Sequence, residues 1–400
     1  MKIIHTSDWH LGKNFFGKKL TEEQSIFFEK YFFPLLEDIK PDLLIITGDI
    51  VDKPNPDYET QQLFKDILYN LFDKKIPAIF ILGNHDSKRI SLYKEFLRDL
   101  NLILVDNLNY FKNPFVFENR KGEKAYFYIL PYLSLYELKE NMENFWQEEI
   151  QRFAIFFNSK NQLFLKELIE LLLSFQNSLK RPAFLLGHFA LEKGIFTGEE
   201  VTLKCIGREE IFPINFFEKY DFLLLGHLHR LQKISHKAYY AGSLLPYSFE
   251  EANYNKGVWF LELKNNSLVK EEKIYLNPSF KIKTLKGYFN DLIKYPKDEA
   301  YIKVILKDEI PVLHPFERLK TVFPNLLVLE YEEKDKSNAN YDFNADSLEI
   351  FDKAEIDLNE EKLFKEFYKL IEGNEIDEKL FKVFQKYLEN FNEELNKETL

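Results

Sequence analysis

Five short segments of the sequence contain side chains that can bind a metal ion. Their sequences are SDWHLG, GDIVD, GNHD, GHFA and GHLH, and each follows an apolar run of strand length. Their carboxylate, amide and imidazole groups are the candidate ligands, namely Asp8, His10, Asp49, Asn84, His188, His227 and His229. Mixed oxygen and imidazole ligands suit a first-row divalent ion such as Mn²⁺, Fe²⁺ or Zn²⁺, and the absence of cysteine from these segments argues against a structural zinc site.

The number of candidate ligands exceeds what one ion needs if some coordination positions stay open for water and substrate. Two ions that share a carboxylate fit the seven candidates, and Asp49, which follows a central strand of the pattern, is the predicted bridge. Two metals about 3.5–4 Å apart can hold a phosphate, activate a water and stabilise the leaving oxygen. The segments therefore predict a site for phosphoester hydrolysis.

His85 lies next to Asn84, so the two side chains point in different directions and His85 is predicted not to be a ligand. We expect it to face the substrate, where it could stabilise the pentacoordinate phosphate and protonate the leaving alkoxide. The neighbouring Asp86 could orient the His85 ring or could be an ordinary turn residue, and the sequence leaves both possibilities open.

Apolar runs precede the five segments and are predicted to be buried β-strands. They span 2–6, 42–47, 77–82, 183–187 and 221–226. Helical patterns lie between several of them, at 21–39, 57–74, 88–100 and 135–180. Apolar strands that alternate with helices indicate an α/β fold with helices on the sheet faces. Because ligands bind at the carboxyl ends of such strands, all five segments are expected to converge on one cleft.

Glycine directly precedes the first candidate side chain in four of the five segments. It lets the backbone turn sharply and removes side-chain bulk near the site. Two later strands, at 237–243 and 256–264, are expected to be antiparallel. His5 lies within the first strand and is expected to be structural, whereas His236 and His314 are expected to be solvated.

The pattern divides the chain into three parts, at 1–265, 266–340 and 341–400. The first carries the five segments, and the second is predicted to be a small α+β domain with the order strand–helix–strand–helix–strand. The third begins in a polar linker and continues into two predicted helices. The second of these helices has an apolar seam made of Phe381, Phe384, Leu388, Phe391 and Leu395. A helix cannot bury such a seam by itself, so we expect the two helices to pack against each other or against a protein partner.

The net charge of −11 is concentrated at the end of the chain, because residues 345–400 hold 16 acidic residues and 8 lysines. The remaining residues carry only −3, so global acidity does not exclude a nucleic-acid partner for the first domain. No apolar run reaches the ~18–20 residues that a membrane span needs. A single cysteine, Cys205, predicts a reducing, cytoplasmic setting, close to the nucleoid if the source is prokaryotic.

The order D-x-H, GD, GNH, H and GHxH resembles that of the calcineurin-like metallophosphoesterases. The fuller segments HTSDWHLG, TGDIVD and GNHD look like those of the SbcD-type double-strand-break repair nucleases, the meiotic-recombination-eleven family. The segment AGSLLPYSFEEANYNKGVWFLEL at 241–263 is also similar to that family. The resemblance implies a layered sheet core flanked by helices, a small capping domain at 266–340 and a pair of C-terminal helices.

The same resemblance implies roles for the candidate residues. The first metal would take Asp8, His10, Asp49 and His229, the second would take Asp49, Asn84, His188 and His227, and His85 would be the catalytic histidine that binds neither metal. The metals would be two Mn²⁺ per chain, with Mg²⁺ or another divalent ion possible. The activity would be a 3′–5′ exonuclease on double strands and an endonuclease on single strands and hairpins.

The resemblance also implies a partner, an SbcC-type coiled-coil ABC ATPase that the C-terminal helices would bind, and a homodimer formed through helices of the first domain. Basic side chains around the cleft are candidate contacts for the DNA phosphates, namely Lys13, Lys18, Lys19, Lys88 and Arg89. Two other functions stay open from the residues alone. One is hydrolysis of a small nucleotide or cyclic phosphodiester, and the other is a scaffold that tethers DNA ends.

Overall fold

The structure is a computed structural model of the 400-residue chain. It describes residues 1–133, 137–138, 140–141, 165–174, 176, 178–198, 211–277, 280–332, 365, 376–377 and 380–385. Most of the predicted helical stretch at 135–180, Cys205, the linker and most of the two C-terminal helices lie outside the described residues. Met1–Glu332 and Glu333–Leu400 are two separate units.

Nineteen β-strands are present in the described residues. They are β1 Lys2–Thr6, β2 Asn14–Phe15, β3 Lys18–Lys19, β4 Leu43–Thr47, β5 Ala78–Ile81, β6 Leu102–Val105, β7 Phe115–Glu118, β8 Lys124–Leu130, β9 Ala183–His188, β10 Ala190–Leu191, β11 Ile211–Phe212, β12 Phe222–Gly226, β13 Gln232–Lys233, β14 Ala238–Tyr240, β15 Gly257–Lys264, β16 Ser267–Tyr275, β17 Ile282–Gly287, β18 Tyr301–Leu306 and β19 Leu326–Tyr331. The five strands predicted before the ligand segments correspond to β1, β4, β5, β9 and β12.

Helices separate many of these strands. The structure gives bounds for eight α-helices, namely α1 Thr21–Phe27, α2 Phe33–Ile39, α3 Tyr58–Asp73, α4 Lys94–Asp99, α5 Asn109–Lys112, α6 Leu165–Ser174, α7 Phe289–Leu292 and α8 Pro315–Lys320. Short 3₁₀ segments occupy Lys88–Tyr93, Ile214–Phe217 and Phe249–Asn253. No helix among the described residues is long and apolar enough to cross a bilayer.

The predicted helix at 21–39 contains a π-helical turn at Phe28–Phe32 between α1 and α2. Pro34 follows this turn in the first positions of α2. Proline has no backbone N–H, so the regular i→i−4 ladder cannot run unbroken through this residue. The turn brings Phe28 and Phe32 against the buried ring of Trp9, with ring centroids 5.1 and 5.9 Å away.

The core of the first unit consists of two six-stranded sheets. The strand order is β16-β15-β1-β4-β5-β6 in the first sheet and β13-β14-β12-β9-β8-β7 in the second. Successive residues of one strand point to opposite sheet faces, so Ile3 joins a cluster with Phe184 and Leu224 of the second sheet. Ile4 instead packs with residues of α1, α2 and α3, such as Leu63. Helices therefore cover the outer face of the first sheet, and its inner face packs against the second.

The second sheet repeats this arrangement. Phe184 and Phe222 stack with ring centroids 4.6 Å apart in the cluster between the sheets. Leu185 and Leu223 face the opposite side, where they pack in one cluster with Leu168 of α6. The predicted α/β fold with helix-covered strands is confirmed, and its layers are helix, sheet, sheet and helix.

The two late strands differ in direction. β15 pairs antiparallel with β1, as predicted. β14, in contrast, pairs parallel with β12 and antiparallel only with the two-residue strand β13. The expectation of an antiparallel strand at 237–243 was therefore wrong for its pairing with β12. The turn after β12 holds His227 and His229, and the chain must cross this turn before it returns to the sheet edge.

The small second domain has the predicted order, but β17, β18 and β19 form a parallel sheet. Parallel strands that alternate with helices make it an α/β domain and not the expected α+β domain. Ile302, Val304 and Leu306 of β18 pack against α7 and α8 residues in a core of their own. Tyr301, on the other face, joins the core of the first domain, and its hydroxyl donates a hydrogen bond to Glu23.

The strand β16 continues the first sheet as far as Tyr275 by pairing with β15. A division of the chain at residue 265 would separate these two strands, and so we now propose that the boundary between the first two domains lies between Tyr275 and Ile282.

Candidate metal centre

The predicted ligands converge at the carboxyl ends of the parallel strands of both sheets. Asp8 and His10 follow β1, Asp49 follows β4 and Asn84 follows β5, all in the first sheet. The second sheet contributes the remaining ligands, since His188 ends β9 and both His227 and His229 follow β12. The five sequence segments therefore meet in one place, as predicted.

Several predicted ligands have a positive φ angle, a backbone conformation that residues other than glycine rarely adopt. Asp8, His10 and Asp49 have φ angles of 50°, 42° and 51°, and His227 has a φ of 91°. Residues other than glycine seldom occupy this left-handed region, and each such residue costs about 1–3 kcal/mol. The surrounding hydrogen bonds hold them there. The amide of Asp8 donates to the carbonyl of Gly48 at 3.0 Å, and the amide of His227 donates to Asp8 Oδ1 at 2.9 Å.

The first group of ligand atoms surrounds the Nε2 atom of His10. His10 Nε2 lies 3.1 Å from His229 Nε2 and 3.5 Å from Asp49 Oδ2. One ligand atom each from Asp8, His10 and His229 lie within 4.8 Å of one another. Metal–nitrogen distances of about 2.1 Å place two neighbouring ligand atoms ~3.0–3.4 Å apart. The observed separations fit such a site.

The second group surrounds the Oδ1 atom of Asn84. This oxygen lies 2.9 Å from His188 Nε2 and 3.2 Å from His227 Nδ1. His188 Nε2 is also 3.3 Å from Asp49 Oδ2. The same Asp49 oxygen therefore faces both groups, whereas Asp49 Oδ1 accepts a hydrogen bond from the amide of His85 at 2.9 Å.

The electrostatics of the cluster favour a bound cation. Burial by itself would raise the pKa of Asp49, but the imidazoles of His188 and His10 lower it well below the usual range. Burial would lower the pKa of His188, but Asp49 and Asp8 raise it to about 10. Buried carboxylates thus stabilise positive charge at the centre, and the donors are the oxygen and imidazole groups that divalent first-row ions prefer. The residues present fit divalent metal ions.

Glycine at the strand ends makes room for these ligands. Gly48 has a φ of 93°, and a Cβ atom there would lie 2.1 Å from His188 Nδ1. A Cβ atom at Gly226 would lie 1.9 Å from the carbonyl oxygen of Thr47 and 2.9 Å from the same His188 ring. The predicted reason for these glycines, removal of side-chain bulk near the site, agrees with this packing.

Residues that support the ligands were not singled out from the sequence. His188 Nδ1 donates to the carbonyl of Thr47 at 2.8 Å. His229 Nδ1 donates to Glu251 Oε1 at 3.3 Å. Glu251 forms a buried ion pair with Lys256. Asp52 lies in the GDIVD segment itself, with its Oδ1 3.4 Å from His10 Nδ1.

Gln24 on α1 holds the loop that carries His10. Its buried amide nitrogen donates to the carbonyls of Trp9 and His10 at 3.1 and 2.8 Å. Its amide oxygen accepts from the backbone N–H of Gly12 at 2.9 Å. A polar residue within an otherwise apolar helical stripe was the only sequence signal for this role.

His85 is half-buried beside the first group, with its ring centroid 4.7 Å from that of His10. Its Nδ1 donates to the backbone carbonyl of Asp52 at 2.9 Å. Asp86 does not form this bond, because its carboxylate accepts from the amides of Gly83 at 2.8 Å and Val51 at 3.0 Å. Of the two possibilities for Asp86, the contacts favour a turn residue over one that orients His85. Burial and the nearby Asp49 raise the pKa of Asp86 to about 6.

The five predicted DNA contacts differ in their surroundings. Lys13 is nearly buried, and its ammonium lies 3.1 Å from Asp52 Oδ1. Lys18 and Lys19 on the hairpin of β2 and β3 are half-buried and pair with acidic neighbours. Lys88 and Arg89 are exposed after the GNHD turn. We therefore assign Lys13 to the support of Asp52 and keep the other four as candidates.

The remaining histidines have the surroundings that the sequence predicted. His5 is buried and its Nε2 makes a 2.9 Å hydrogen bond with Thr47 Oγ1. Burial lowers the pKa of His5 to about 3. His236 and His314 are exposed.

Comparison with known families agrees with this geometry. Residues 1–231, more than half of the chain, match the calcineurin-like phosphoesterase family. Residues 280–372 match a family described as the type 5 capsule protein repressor C-terminal domain. The first match covers all five ligand segments and both sheets as far as the turn after β12.

Two relatives extend the match over nearly the whole chain. The SbcD subunit of the nuclease SbcCD from Staphylococcus epidermidis is 30% identical over 377 residues, covering 92% of this chain and 93% of the relative. Its counterpart from Staphylococcus saprophyticus is 29% identical over 390 residues, covering 94% of each chain. The chain therefore belongs to the calcineurin-like phosphoesterase family and, within it, to the SbcD nucleases. It is a metal-dependent phosphodiester hydrolase of the nuclease type.

Proposed function

We propose that the chain is a two-metal DNA nuclease of double-strand-break repair. The proposed activities are 3′–5′ exonuclease on double strands and endonuclease on single strands and hairpins. The observation that carries the two-metal proposal is the position of Asp49 Oδ2, which lies 3.5 Å from His10 Nε2 and 3.3 Å from His188 Nε2. One carboxylate oxygen that faces two ligand groups supports two ions with a shared ligand.

The proposed first ion takes its ligands from Asp8, His10, Asp49 and His229, and the second from Asp49, Asn84, His188 and His227. Mn²⁺ is the proposed native ion, and Mg²⁺ or another divalent ion is an alternative. When bound, such ions activate the phosphodiester and the attacking water as Lewis acids.

His85 is the proposed proton donor for the leaving oxygen. Its Nδ1 must carry a proton, because the Asp52 carbonyl that it contacts at 2.9 Å can only accept a hydrogen bond. This contact fixes the ring so that Nε2 is the nitrogen that gains or loses a proton. Nε2 of the protonated ring can then donate to the alkoxide that departs from phosphorus.

DNA is proposed to bind mainly through its phosphates, and sequence preference should therefore be slight. Lys18, Lys19, Lys88 and Arg89 are the candidate contacts. Arg89 donates to Asn55 Oδ1 at 2.6 Å, and Lys88 pairs with Glu137 at 2.7 Å. Surface pairs of this kind contribute little free energy and can exchange for a phosphate.

The names of the relatives support a partner, and we propose that it is a coiled-coil ABC ATPase of the SbcC type bound by the C-terminal helices. The acidity of residues 345–400 would repel DNA, which favours a protein partner for these helices. We also propose a homodimer through the first domain. Leu92, Tyr93 and Phe96, in the helical segment after the GNHD turn, are 84%, 58% and 64% exposed and could pack against a second copy.

The test compares two substrates, end-labelled duplex DNA and a small phosphodiester, in the presence of Mn²⁺, Mg²⁺ or EDTA. We expect Mn²⁺-dependent shortening of the DNA. His85→Ala should slow it by about 10²–10⁴-fold while metal content, measured by mass spectrometry, is retained. His236→Ala, which removes an exposed histidine, is the matched control and should be fully active.

Two other results would contradict the proposal. Efficient hydrolysis of the small diester with DNA left intact would indicate an enzyme for nucleotides or cyclic phosphodiesters. DNA binding without hydrolysis of either substrate would indicate a scaffold that tethers DNA ends.

A further inference from the structure

Both imidazoles of the proposed first ion have a carboxylate–lysine pair behind them. For His229 the carboxylate is Glu251, whose Oε1 accepts from His229 Nδ1 at 3.3 Å. The ammonium of Lys256 lies 2.5 Å from Glu251 Oε2 and also donates to Ser243 Oγ and to the His229 carbonyl, at 2.6 and 3.0 Å. Glu251 is 1% exposed and Lys256 is 3% exposed, so solvent does not screen the pair.

A carboxylate–lysine pair also lies beside His10, where the carboxylate contacts Nδ1 without hydrogen-bond geometry. Asp52 Oδ1 lies 3.4 Å from His10 Nδ1 and 3.1 Å from the ammonium of Lys13. Asp52 and Lys13 are 8% and 7% exposed. The carboxylate behind His10 is therefore held inside the protein beside the ammonium of Lys13.

The support of His188, an imidazole of the proposed second ion, is different. His188 Nδ1 donates to a neutral group, the backbone carbonyl of Thr47, at 2.8 Å. The ligand beside it, Asn84, is itself an uncharged amide. A carboxylate behind an imidazole makes the ligating nitrogen more basic and fixes the ring orientation more strongly than a neutral carbonyl does.

We propose that the two ions bind with unequal affinity and that the first ion binds more tightly and loads first. Glu251 and Asp52 are the positioning residues that set this difference, acting through His229 and His10. The inference rests on the two-ion site proposed above and goes beyond it, because it assigns an order of loading and the residues that determine the order.

The experiment is a calorimetric titration of the metal-free full-length chain with Mn²⁺, and electron paramagnetic resonance of free Mn²⁺ gives the stoichiometry independently. We expect two resolved binding steps in the native chain. Glu251→Gln should weaken the tighter step by about 10–100-fold and leave the weaker step unchanged. Glu271→Gln is the matched control, because Glu271 pairs with Lys233 on a different part of the surface. Its titration should match that of the native chain.

A second variant separates positioning from folding. Glu251→Gln alone leaves the buried Lys256 without its partner, which could destabilise the chain. Glu251→Gln combined with Lys256→Met removes both charges, so thermal unfolding of its metal-free form should return towards that of the native chain while the tighter step stays weak. Recovery of the metal affinity in the double variant would show a merely structural role and overturn the inference.

Other outcomes are also decisive. Two equal steps in the native chain, or an equal loss of both steps in Glu251→Gln, would overturn the inference and leave the two-ion site intact. Binding of a single ion, or of none, would reject the two-ion site itself and the inference with it.

Discussion

Alanine at Gly48 tests whether the site depends on the close approach of a strand end to His188. The φ of Gly48 is 93°, and a Cβ atom there would lie 2.1 Å from His188 Nδ1. Ordinary contacts of a Cβ atom begin at 3.4 Å, so the ring must move by about 1 Å. The ring would then lose its 2.8 Å hydrogen bond to Thr47, and its Nε2 would leave the position that faces Asn84 and Asp49.

Two contributions lower the free energy of unfolding of Gly48→Ala. The left-handed backbone costs an alanine about 1–2 kcal/mol, and loss of the Thr47 hydrogen bond costs about 1 kcal/mol more. We therefore expect Gly48→Ala to lower the free energy of unfolding of the metal-free chain by about 2–3 kcal/mol. A misplacement of about 1 Å at a reacting centre typically costs 10²-fold in rate. Mn²⁺-dependent shortening of duplex DNA should fall by about that factor, and Mn²⁺ content should fall with it.

Gly122 supplies the matched control. Its φ is 80°, and a Cβ atom there would meet only Glu118 Oε1, at 3.8 Å. Gly122→Ala should therefore show the backbone strain of about 1–2 kcal/mol alone, with full Mn²⁺ content and full activity. Urea unfolding in EDTA measures the stability of both variants. Equal losses of stability and activity in the two variants would refute the argument that contact with His188 is what requires glycine at position 48.

Two further predictions concern His5 and the C-terminal residues. Burial lowers the pKa of His5 to about 3, so below its ordinary value of ~6.5 the unfolded chain binds more protons than the folded chain, and stability falls as the pH falls. Between pH 7 and pH 5, His5 should lower the free energy of unfolding by about 2 kcal/mol. Urea unfolding in EDTA should show this loss in the native chain and not in His5→Gln. The same pH dependence in the variant would exclude His5 as its source. Truncation after residue 345 should leave nuclease activity but abolish copurification with the proposed ATPase partner. Retained copurification would refute the proposed role of these helices.

The position of the ligands was predictable because the signal was local. Each candidate ligand followed an apolar run and, in four cases, a glycine. Parallel strands bring their carboxyl ends together whatever the order of the strands, so convergence followed without knowledge of the topology. Asp49 was chosen as the bridge for its central strand, and its Oδ2 does face both His10 and His188.

The division into two sheets was not predictable from the same runs. Both faces of β1 are buried, because Ile3 packs between the sheets and Ile4 packs under the helices. A strand that is apolar on both faces shows no alternation of apolar and polar residues, so its sequence does not indicate which sheet it joins. The parallel pairing of β14 with β12 depends on the same long-range choice, and this is why its direction was mispredicted.

The residues that hydrogen-bond to the ligands or lie behind them could not be predicted from the sequence, for a related reason. Glu250 and Glu251 are adjacent and chemically identical, yet Glu250 is exposed and Glu251 is buried against Lys256 and His229. Lys13 was predicted as a phosphate contact from its charge alone, and in the fold it is 7% exposed with its ammonium 3.1 Å from Asp52 Oδ1. A charge in a sequence predicts a solvated side chain by default, so buried pairs become visible only when the fold brings the partners together.

The ligands of each proposed ion come from both sheets, and this explains why the site tolerates so much backbone strain. His10 of the first sheet faces His229 of the second at 3.1 Å, and Asn84 of the first faces His188 of the second at 2.9 Å. The relative position of the sheets is fixed by a core that includes the stacked rings of Phe184 and Phe222. A close-packed core of this kind deforms little, so it can hold left-handed residues that a mobile loop would release. The ligand atoms are therefore held in place before any ion binds, which lowers the cost of ordering them on binding.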